Sequence, residues 1–485
     1  MLEAIVIALV TFAFPAPSAQ EEPERGEGTQ ATPEEGSQIM SRTVLTKEGG
    51  TREEPGAPTG PQETRVLEAE SISYWSLDII DPCGLSIGNS ERWIGLRINL
   101  RDHGVESVTG VNLTLWGPAP QAIERMYGLS IGPLPRAREL YGVSLGLLAV
   151  TAGEAMYGLQ IGGIATVSEG SMYGVNVGGL AAVADGDMWG LNVGGLATVS
   201  DGTLGGLTLS SLAVVSDDNM QGISCAGLAT VSGDDVQGIT AAGLATVSQG
   251  SMQGISLAGL ATVADGPMHG IHMAGLATVA DGDMLGIHVG GFATVADGRA
   301  QGVNVGGIAV VADEFLQGLN LGGVAAVTDG DMEGINVAGV VLVGKESLRG
   351  VNASGILALG KRAVQGLNIG GIGVIAGNAD MGSFIPPGGE AESSGTRIQG
   401  LNLALYRVQA ETIEGISIGG VSNIARDSSG ISLALYNGNG GLHQGLSVGL
   451  FNHAEDLVGV QIGLLNHVAT NPPLLRWLPI ANARF

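Results

Sequence analysis

Basic residues are scarce in this chain of 485 residues. Lys and Arg together number 21 against 47 Asp and Glu, which gives a formal net charge of −26. A nucleic-acid-binding surface needs clustered basic side chains to neutralise phosphates, and the sequence has no such cluster. The composition therefore excludes nucleic acid as a partner, and the acidic charge favours solubility of a repetitive chain.

Cysteines and aromatic residues are also few. Cys83 and Cys225 lie far apart in the sequence, so neither a disulfide framework nor a zinc-ligand spacing is present. Cys225 occupies a position that other repeats fill with Val, Leu or Met, which predicts a small core hydrophobe. Aromatic residues make up 4% of the chain, so a core of large interdigitating side chains is not expected.

The sequence lacks a recognisable catalytic motif. Gly-x-x-x-Gly-Gly segments recur, but none follows a strand and opens a helix, as a phosphate-binding loop requires. Neither a Gly-x-Ser-x-Gly motif nor a distinct Ser/His/Asp set can be singled out. Catalysis needs a unique constellation, whereas a near-perfect repeat offers the same residues in every unit. We therefore expect a protein that is not an enzyme and uses no cofactor.

Glycine, in contrast, is abundant and periodic. The chain contains 82 glycines, and through the middle of the sequence a glycine occupies every sixteenth position. A fixed period of this kind is the signature of a repeat architecture. The aligned glycines of the regular array are Gly158, Gly174, Gly190, Gly206, Gly222, Gly238, Gly254, Gly270, Gly286, Gly302, Gly318, Gly334, Gly350 and Gly366. Those of looser units are Gly95, Gly110, Gly128 and Gly142 before the array and Gly400, Gly415, Gly430, Gly445 and Gly459 after it.

Each unit has the pattern of β structure. With the aligned glycine as position one, positions two and four are Ile, Val or Leu, and position three is Asn, Ser, His, Thr or Gln. Positions five and six are Gly or Ala, position seven is usually Leu or Ile, and positions eight to eleven resemble Ala-Thr-Val-Ala. An Asp-Gly-Asp type turn follows. Alternation of this kind is a strand signature, so the sequence predicts an all-β fold.

Two architectures fit such a unit. In a β-solenoid, each unit is one 16-residue coil with bends near Gly178-Gly179 and Asp185-Gly186. Coils stack about 4.8 Å apart, and identical residues form ladders. In a large antiparallel outer-membrane β-barrel, each unit would be one strand. We favour the solenoid because alternating barrel turns would give a period of two units, which the sequence lacks. The solenoid predicts an amide ladder of Asn304, Asn320, Asn336, Asn352 and Asn368.

The remaining regions follow from composition. An apolar stretch over residues 2–14 precedes small residues up to Ala19, which predicts a signal peptide over residues 1–19. Residues 20–68 contain few large apolar side chains and are predicted to be a disordered acidic linker. The predicted β regions are irregular repeats over 69–157, regular repeats over 158–378, a loop insertion at 379–397, and C-terminal repeats with a cap over 398–485.

Acidic turns and three histidines are the candidate metal ligands. Paired carboxylates on a tight turn suit a hard cation such as calcium, and histidine suits transition metals. His272 and His288 would stack in adjacent coils. Other units hold Ser or Gln at these turns and Asn or Ser at these strand positions, which favours solvated turns and ordinary polar positions. The candidates are Asp185, Asp187, Asp281, Asp283, His269, His272 and His288.

The last units resemble a known family. Residues 445–453 (GLSVGLFNH) and 459–467 (GVQIGLLNH), with the ending over residues 471–485, resemble bacterial surface-repeat proteins with a G-[LV]-[QN]-[IV]-G-L-x-N unit. The resemblance covers roughly residues 90–485. The family is exported and has no assigned activity, so the resemblance implies a place at the cell envelope rather than a chemistry. Central units depart from the family in having Ala where its unit has Asn.

We expect an exported, non-catalytic surface or envelope protein with a structural or binding role, located at the cell surface, in the outer membrane or in the periplasm. Its partner is not identified by the sequence, and residues 384–397 with the exposed turns are the candidate contact points. One alternative is an outer-membrane pore, the only case in which membrane contact is expected. Another is a surface protein that binds divalent cations.

Overall fold

The aligned glycines form a single column through the fold. A computed structural model describes residues 76–79, 83–117, 123–377 and 395–485. Gly174 pairs in parallel register with Gly158 on one side and Gly190 on the other. Its φ is +115°, a region that L side chains rarely adopt, and an added Cβ would overlap the carbonyl oxygen of Gly158. The 16-residue period is therefore carried by a position that admits only glycine.

The described residues form strands and no helix, and hence no helix that could cross a membrane. The N-terminal strands are β1 (Ser76–Ile79), β2 (Cys83–Gly88), β3 (Arg92–Asn99), β4 (Val105–Thr114), β5 (Ile123–Gly132), β6 (Arg136–Gly146) and β7 (Ala149–Gly162). From β8 onwards, short strands alternate with long ones.

The first part of this alternating series comprises β8 (Ala165–Ser168), β9 (Ser171–Gly178), β10 (Ala181–Ala184), β11 (Met188–Gly194), β12 (Ala197–Ser200), β13 (Leu204–Ser210), β14 (Ala213–Ser216), β15 (Met220–Ala226), β16 (Ala229–Ser232), β17 (Val236–Ala242), β18 (Ala245–Ser248), β19 (Met252–Ala258), β20 (Ala261–Ala264), β21 (Met268–Ala274), β22 (Ala277–Ala280), β23 (Met284–Gly290), β24 (Ala293–Ala296) and β25 (Arg299–Gly306).

The second part comprises β26 (Ala309–Ala312), β27 (Phe315–Gly322), β28 (Ala325–Thr328), β29 (Asp331–Ala338), β30 (Val341–Gly344), β31 (Ser347–Ser354), β32 (Leu357–Gly360), β33 (Ala363–Gly370), β34 (Gly373–Ala376), β35 (Arg397–Ala404), β36 (Arg407–Gln409), β37 (Thr412–Gly419), β38 (Ser422–Ala425) and β39 (Asp427–Leu433). The chain ends in β40 (Tyr436–Val448), β41 (Phe451–Val468) and β42 (Trp477–Arg484).

Strands pair with the equivalent strand of the next unit. The long strand β9 pairs in parallel with β11, and the short strand β10 pairs in parallel with β12. This is a β-solenoid of about 22 turns, as predicted, with bends at Gly179–Leu180 and at Asp185–Asp187 between strands. The alternative of antiparallel neighbours with one strand per unit is wrong, because the hydrogen-bonding partner of each repeat strand runs in the same direction.

Both ends of the described array carry an antiparallel strand. β1 pairs with β2 at the first coil, and β42 pairs with β41 at the last. An open strand edge invites pairing with another chain, and a return strand covers that edge.

The looser units join the same column. Gly366 pairs directly with Gly400, so the array is continuous on both sides of the insertion. Gly84, which sequence alignment missed, precedes Gly95 in the column. Of the other predicted regions, the signal peptide (1–19), the linker (20–68) and most of the loop insertion (379–397) lie outside the described residues.

The interior of each coil is lined by small, slender or polar side chains. In one coil the buried residues are Met172, Asn176, Gly178, Ala182 and Ala184, which are positions fifteen, three, five, nine and eleven. Glycine and alanine allow the two strands of a coil to lie close together. Large aliphatic side chains enter the interior mainly at position fifteen, as Leu204, Leu316 and Leu348 do, whereas most Ile and Leu of the array lie at positions two, four and seven.

Asparagine ladders run inside the coils. Asn304 donates its side-chain amide to Asn320 at 2.9 Å, and the same contact repeats at 2.8 Å through Asn336, Asn352 and Asn368 to Asn402. The predicted ladder is confirmed and is one residue longer than expected. A second ladder consists of Asn423, at position nine of its unit, and Asn437, Asn452 and Asn466, at position eight of the three units that follow.

Gly254→Ala tests the glycine column. The new Cβ would overlap the carbonyl oxygen of Gly238 while φ is +119°, so we expect a loss of about 3 kcal/mol in the free energy of unfolding. Gly440→Ala is the matched control, because nothing lies within 4 Å of its Cβ. Urea unfolding followed by circular dichroism measures both variants. Equal midpoints for the two would contradict the steric explanation.

Candidate interaction surface

The large apolar side chains of each coil point outwards. At positions two, four and seven, Ile239, Leu257 and Leu228 are 40%, 42% and 44% exposed. Cys225, at position four, also lies on this outer face and is half-buried. The prediction that Cys225 is a core hydrophobe is therefore wrong, because position three, not position four, points into the coil.

These outward residues form a continuous surface. We define the apolar surface as positions two, four, six, seven, eight and ten of the units from Gly158 to Gly366. It covers the outer side of the long strands at positions two and four, continues round the turn at positions six and seven, and reaches the Ala and Val residues on the outer side of the short strands. None of these positions holds a charged residue in any of those units.

Charged side chains are confined to another part of the coil. Within residues 158–377, each Asp, Glu, Lys and Arg occupies a position from twelve to sixteen, and most are carboxylates. We call the turn at positions twelve to fourteen the acidic edge. It lies at the opposite end of the short strand from the apolar turn at positions six and seven. Each coil is therefore amphipathic in the same direction, and stacking extends that asymmetry along the whole array.

The apolar surface contains a groove. Its floor consists of small residues at positions five and six, and its volume is about 880 Å³. The groove passes over successive coils from Val193 to Val289 and is lined by Leu209, Cys225, Leu257 and Met273 at position four. At Ala241, position four has no large side chain along this groove. Such a groove accommodates an extended apolar group lying along the solenoid axis.

The backbone beneath the apolar turn is hydrogen bonded. The N–H of Gly179 donates to the carbonyl of Gly162 at 2.9 Å, and those of Leu180 and Ala181 both donate to Ile164, at 2.6 and 3.2 Å. The same three contacts recur in the following unit. The turn therefore presents apolar side chains without free N–H groups, unlike an ordinary exposed loop.

The candidate aspartates serve the turns of the acidic edge. The Asp187 carboxylate accepts a hydrogen bond from the backbone N–H of Thr203 at 2.9 Å, and that of Asp283 accepts from Arg299 at 2.8 Å. Asp185 and Asp281 are exposed at position twelve. Across the residues that the structure describes, no group of three or more His, Cys, Asp or Glu side chains is arranged to hold a metal ion.

The candidate histidines separate into two environments. His272 and His288 are fully buried and stack at 5.3 Å between ring centroids, as predicted for adjacent coils. His269 lies on the exterior at position sixteen and does not join them. Burial lowers the pKa of His272 to about 4 and, with the neighbouring His272 ring, lowers that of His288 to about 3. Both rings are therefore neutral members of the position-three column at pH 7.

Sequence reasoning missed the outward direction of the apolar positions. The signal that could have revealed it was the confinement of charge to positions twelve to sixteen, together with polar residues at position three in every unit. A polar column flanked by apolar ones on the same strand must face the opposite side from them. Methionine at position fifteen, in phase with position three, points to the same interior.

Comparison of the chain with family models, curated proteins and solved structures gives no match. The geometry of the apolar surface is thus the observation from which a function can be argued.

The double variant His272→Asn/His288→Asn tests the buried pair. Because burial lowers both pKa values in the folded state, the unfolded chain binds more protons between pH 6.5 and about 4, and stability falls as the pH drops through that window. We expect the double variant to lose less stability than the parent between pH 7 and pH 5, as measured by urea unfolding. His269→Asn, at the exposed position, should behave as the parent; an unchanged pH dependence in the double variant would contradict the burial.

Thiol labelling tests the direction of position four. In a Cys83→Ser background, we expect Cys225 to react with a maleimide in the folded protein because it is half-buried on the outer face. A cysteine placed at the fully buried Met252 by Met252→Cys, in a chain also carrying Cys225→Ser, should react only after denaturation. Equal protection of the two thiols would show that position four points inwards.

Proposed function

We propose that the protein is an exported, non-catalytic repeat protein of the cell envelope that acts as a binding or structural element through its apolar surface. The observation that carries the proposal is the extent of that surface. Monomeric soluble proteins rarely expose contiguous apolar patches larger than a few hundred Å², and larger ones mark sites of contact. Because the surface repeats in every unit, it suits an extended partner rather than a single small ligand.

The near-identity of the described units from Gly158 to Gly366 supports a role without catalysis. Within these units each coil offers nearly the same side chains as its neighbours, and the polar residues at position three are buried in an interior column. Asn352 and Asn368, for example, hydrogen bond within the coil interior and are fully buried. A reaction requires groups that differ in role and converge on one substrate.

The proposed location draws on the sequence. Residues 1–19 have the pattern of a signal peptide, and the last units resemble surface-repeat proteins. The Asn residues that carry this resemblance, Asn452 and Asn466, belong to the second interior ladder. The shared unit thus has a structural reason: its Asn supplies a hydrogen bond between coils.

Export is tested by expressing the full chain with a C-terminal tag in a Gram-negative host. We expect the tagged protein in the envelope fractions, with a mature N-terminus at Gln20. A variant lacking residues 2–14 serves as the control and should stay in the cytoplasm. Recovery of the parent chain in the cytoplasm with Met1 retained would contradict the proposed export.

A further inference from the structure

We propose that the apolar surface binds the acyl region of a lipid layer, with the solenoid axis lying in the plane of the layer and the acidic edge facing water. The inference rests on the proposed binding role but is independent of export. It departs from the sequence-based expectation, in which membrane contact followed only from a pore.

The chemistry of the surface is that of a lipid contact. Over the units from Gly158 to Gly366 it holds aliphatic side chains, alanine and glycine with few polar exceptions such as Ser211, and it has no charge. At a rise of about 4.8 Å per coil, these units span on the order of 65 Å. An uninterrupted uncharged stripe of this length is what a hydrocarbon layer requires, since each buried charge would cost several kcal/mol.

The backbone meets the second requirement of a lipid contact. A peptide group in hydrocarbon must have its hydrogen bonds made within the protein. In the solenoid, strand N–H and carbonyl groups pair along the axis with the coils on either side, and the apolar turn does the same. In the unit that begins at Gly254, for example, the N–H of Gly259 donates to the carbonyl of Ala242 in the preceding coil, and the N–H of Leu260 donates to that of Leu244. The edge that would enter the layer therefore has no unmet backbone donors at these residues.

The shape of the surface favours lipid over a second copy of the chain. A stable dimer buries about 800 Å² on each partner, and two flat copies can meet over only one side of the coil. A flat partner on that side would leave position seven and the outer side of the short strands in water. Leu212, Leu244 and Leu260, at position seven, are each more than 40% exposed at the turn between the two sides. Acyl chains can cover both sides and the turn together.

The distribution of charge sets the orientation and the lipid preference. The acidic edge lies beyond the short strand from the apolar turn, so the carboxylates remain in water when the turn is inserted. A chain with a net charge of −26 is repelled by anionic headgroups. We therefore expect stronger binding to phosphatidylcholine vesicles than to vesicles rich in phosphatidylglycerol, and weaker discrimination at high salt.

Vesicle flotation of the full chain tests the inference. The variant Leu212→Gln/Leu228→Gln/Leu244→Gln/Leu260→Gln changes four outward side chains at the apolar turn, and we expect binding to phosphatidylcholine vesicles to fall at least about tenfold. The matched control Asp201→Asn/Asp217→Asn/Asp265→Asn/Asp281→Asn alters four exposed carboxylates of the acidic edge and should bind at least as well as the parent. Circular dichroism verifies the fold of both variants.

A second measurement tests the inference even if the leucine variant fails to fold. A polarity-sensitive dye on Cys225, in a Cys83→Ser background, should shift to the blue when vesicles are added. The same dye on the acidic edge, attached through Asp265→Cys in a Cys83→Ser/Cys225→Ser background, should not. Equal flotation of the leucine variant and the parent, or no dye shift at Cys225, would overturn the inference. The inference would also be overturned if the parent chain formed a dimer without lipid and did not bind vesicles, and if the leucine variant were monomeric. That result would indicate a second copy of the chain as the occupant of the apolar surface.

The two proposals can fail separately. A chain that is exported but does not bind vesicles leaves the envelope role in place and removes the lipid contact. A chain that binds vesicles but stays in the cytoplasm removes export and leaves the lipid contact.

Discussion

The structure depends on the contact between aligned glycines of successive coils. Parallel strands stacked in register place each residue directly over its equivalent, and at position one that brings two backbones together with no space for a Cβ. The positive φ at the same position is available to glycine at little cost. One residue type therefore sets the register of every coil, and the ladders of Asn, Met and Leu follow from that register.

The narrow coil explains why the inward positions hold small, slender or polar side chains while most branched aliphatic side chains lie on the exterior. Small residues at positions five, nine and eleven bring the strands close, and slender side chains such as Met252 and Asn320 fill what remains. Asparagine is suited to this place because its amide can donate to one neighbour and accept from the other along the axis. Most Ile and Leu residues lie on the exterior at positions two, four and seven, where each packs against its equivalents above and below, and the interior holds Leu mainly at position fifteen, as at Leu204. Aliphatic side chains that would form a core elsewhere thus lie on the exterior of this solenoid.

Much of the fold could be predicted from the sequence, because a repeat shows its own register. The period at Gly158 to Gly366, the bends and the ladder from Asn304 to Asn368 all follow from stacking identical units. The first coil at Gly84 was missed because it lies only 11 residues before Gly95, outside the regular period. The direction of position four could not be read from alternation alone, since alternation separates two faces without saying which one is inside. Cys225 was assigned to the wrong face for that reason.

For the candidate metal ligands, the sequence predicted which residues are equivalent in successive coils but not their burial or hydrogen-bond partners. The stacking of His272 over His288 followed from the period. Their full burial could be predicted only by knowing that position three faces the interior of the coil. The aspartates of the turns were recognisable as turn residues. Their hydrogen bonds to the next coil, such as that of Asp283 to the N–H of Arg299, required knowing which turn lies beside which.

The most direct test of which positions face outwards is a nitroxide scan of residues 254–269 in a Cys83→Ser/Cys225→Ser background. One spin label is placed at a time, and its collision accessibility to oxygen and to a nickel chelate is measured. The account predicts high accessibility at positions two, four and seven (Ile255, Leu257 and Leu260) and low accessibility to both reagents at positions three, nine and fifteen (Ser256, Thr262 and Met268). The opposite phase, with the aliphatic positions protected and the polar ones accessible, would contradict it.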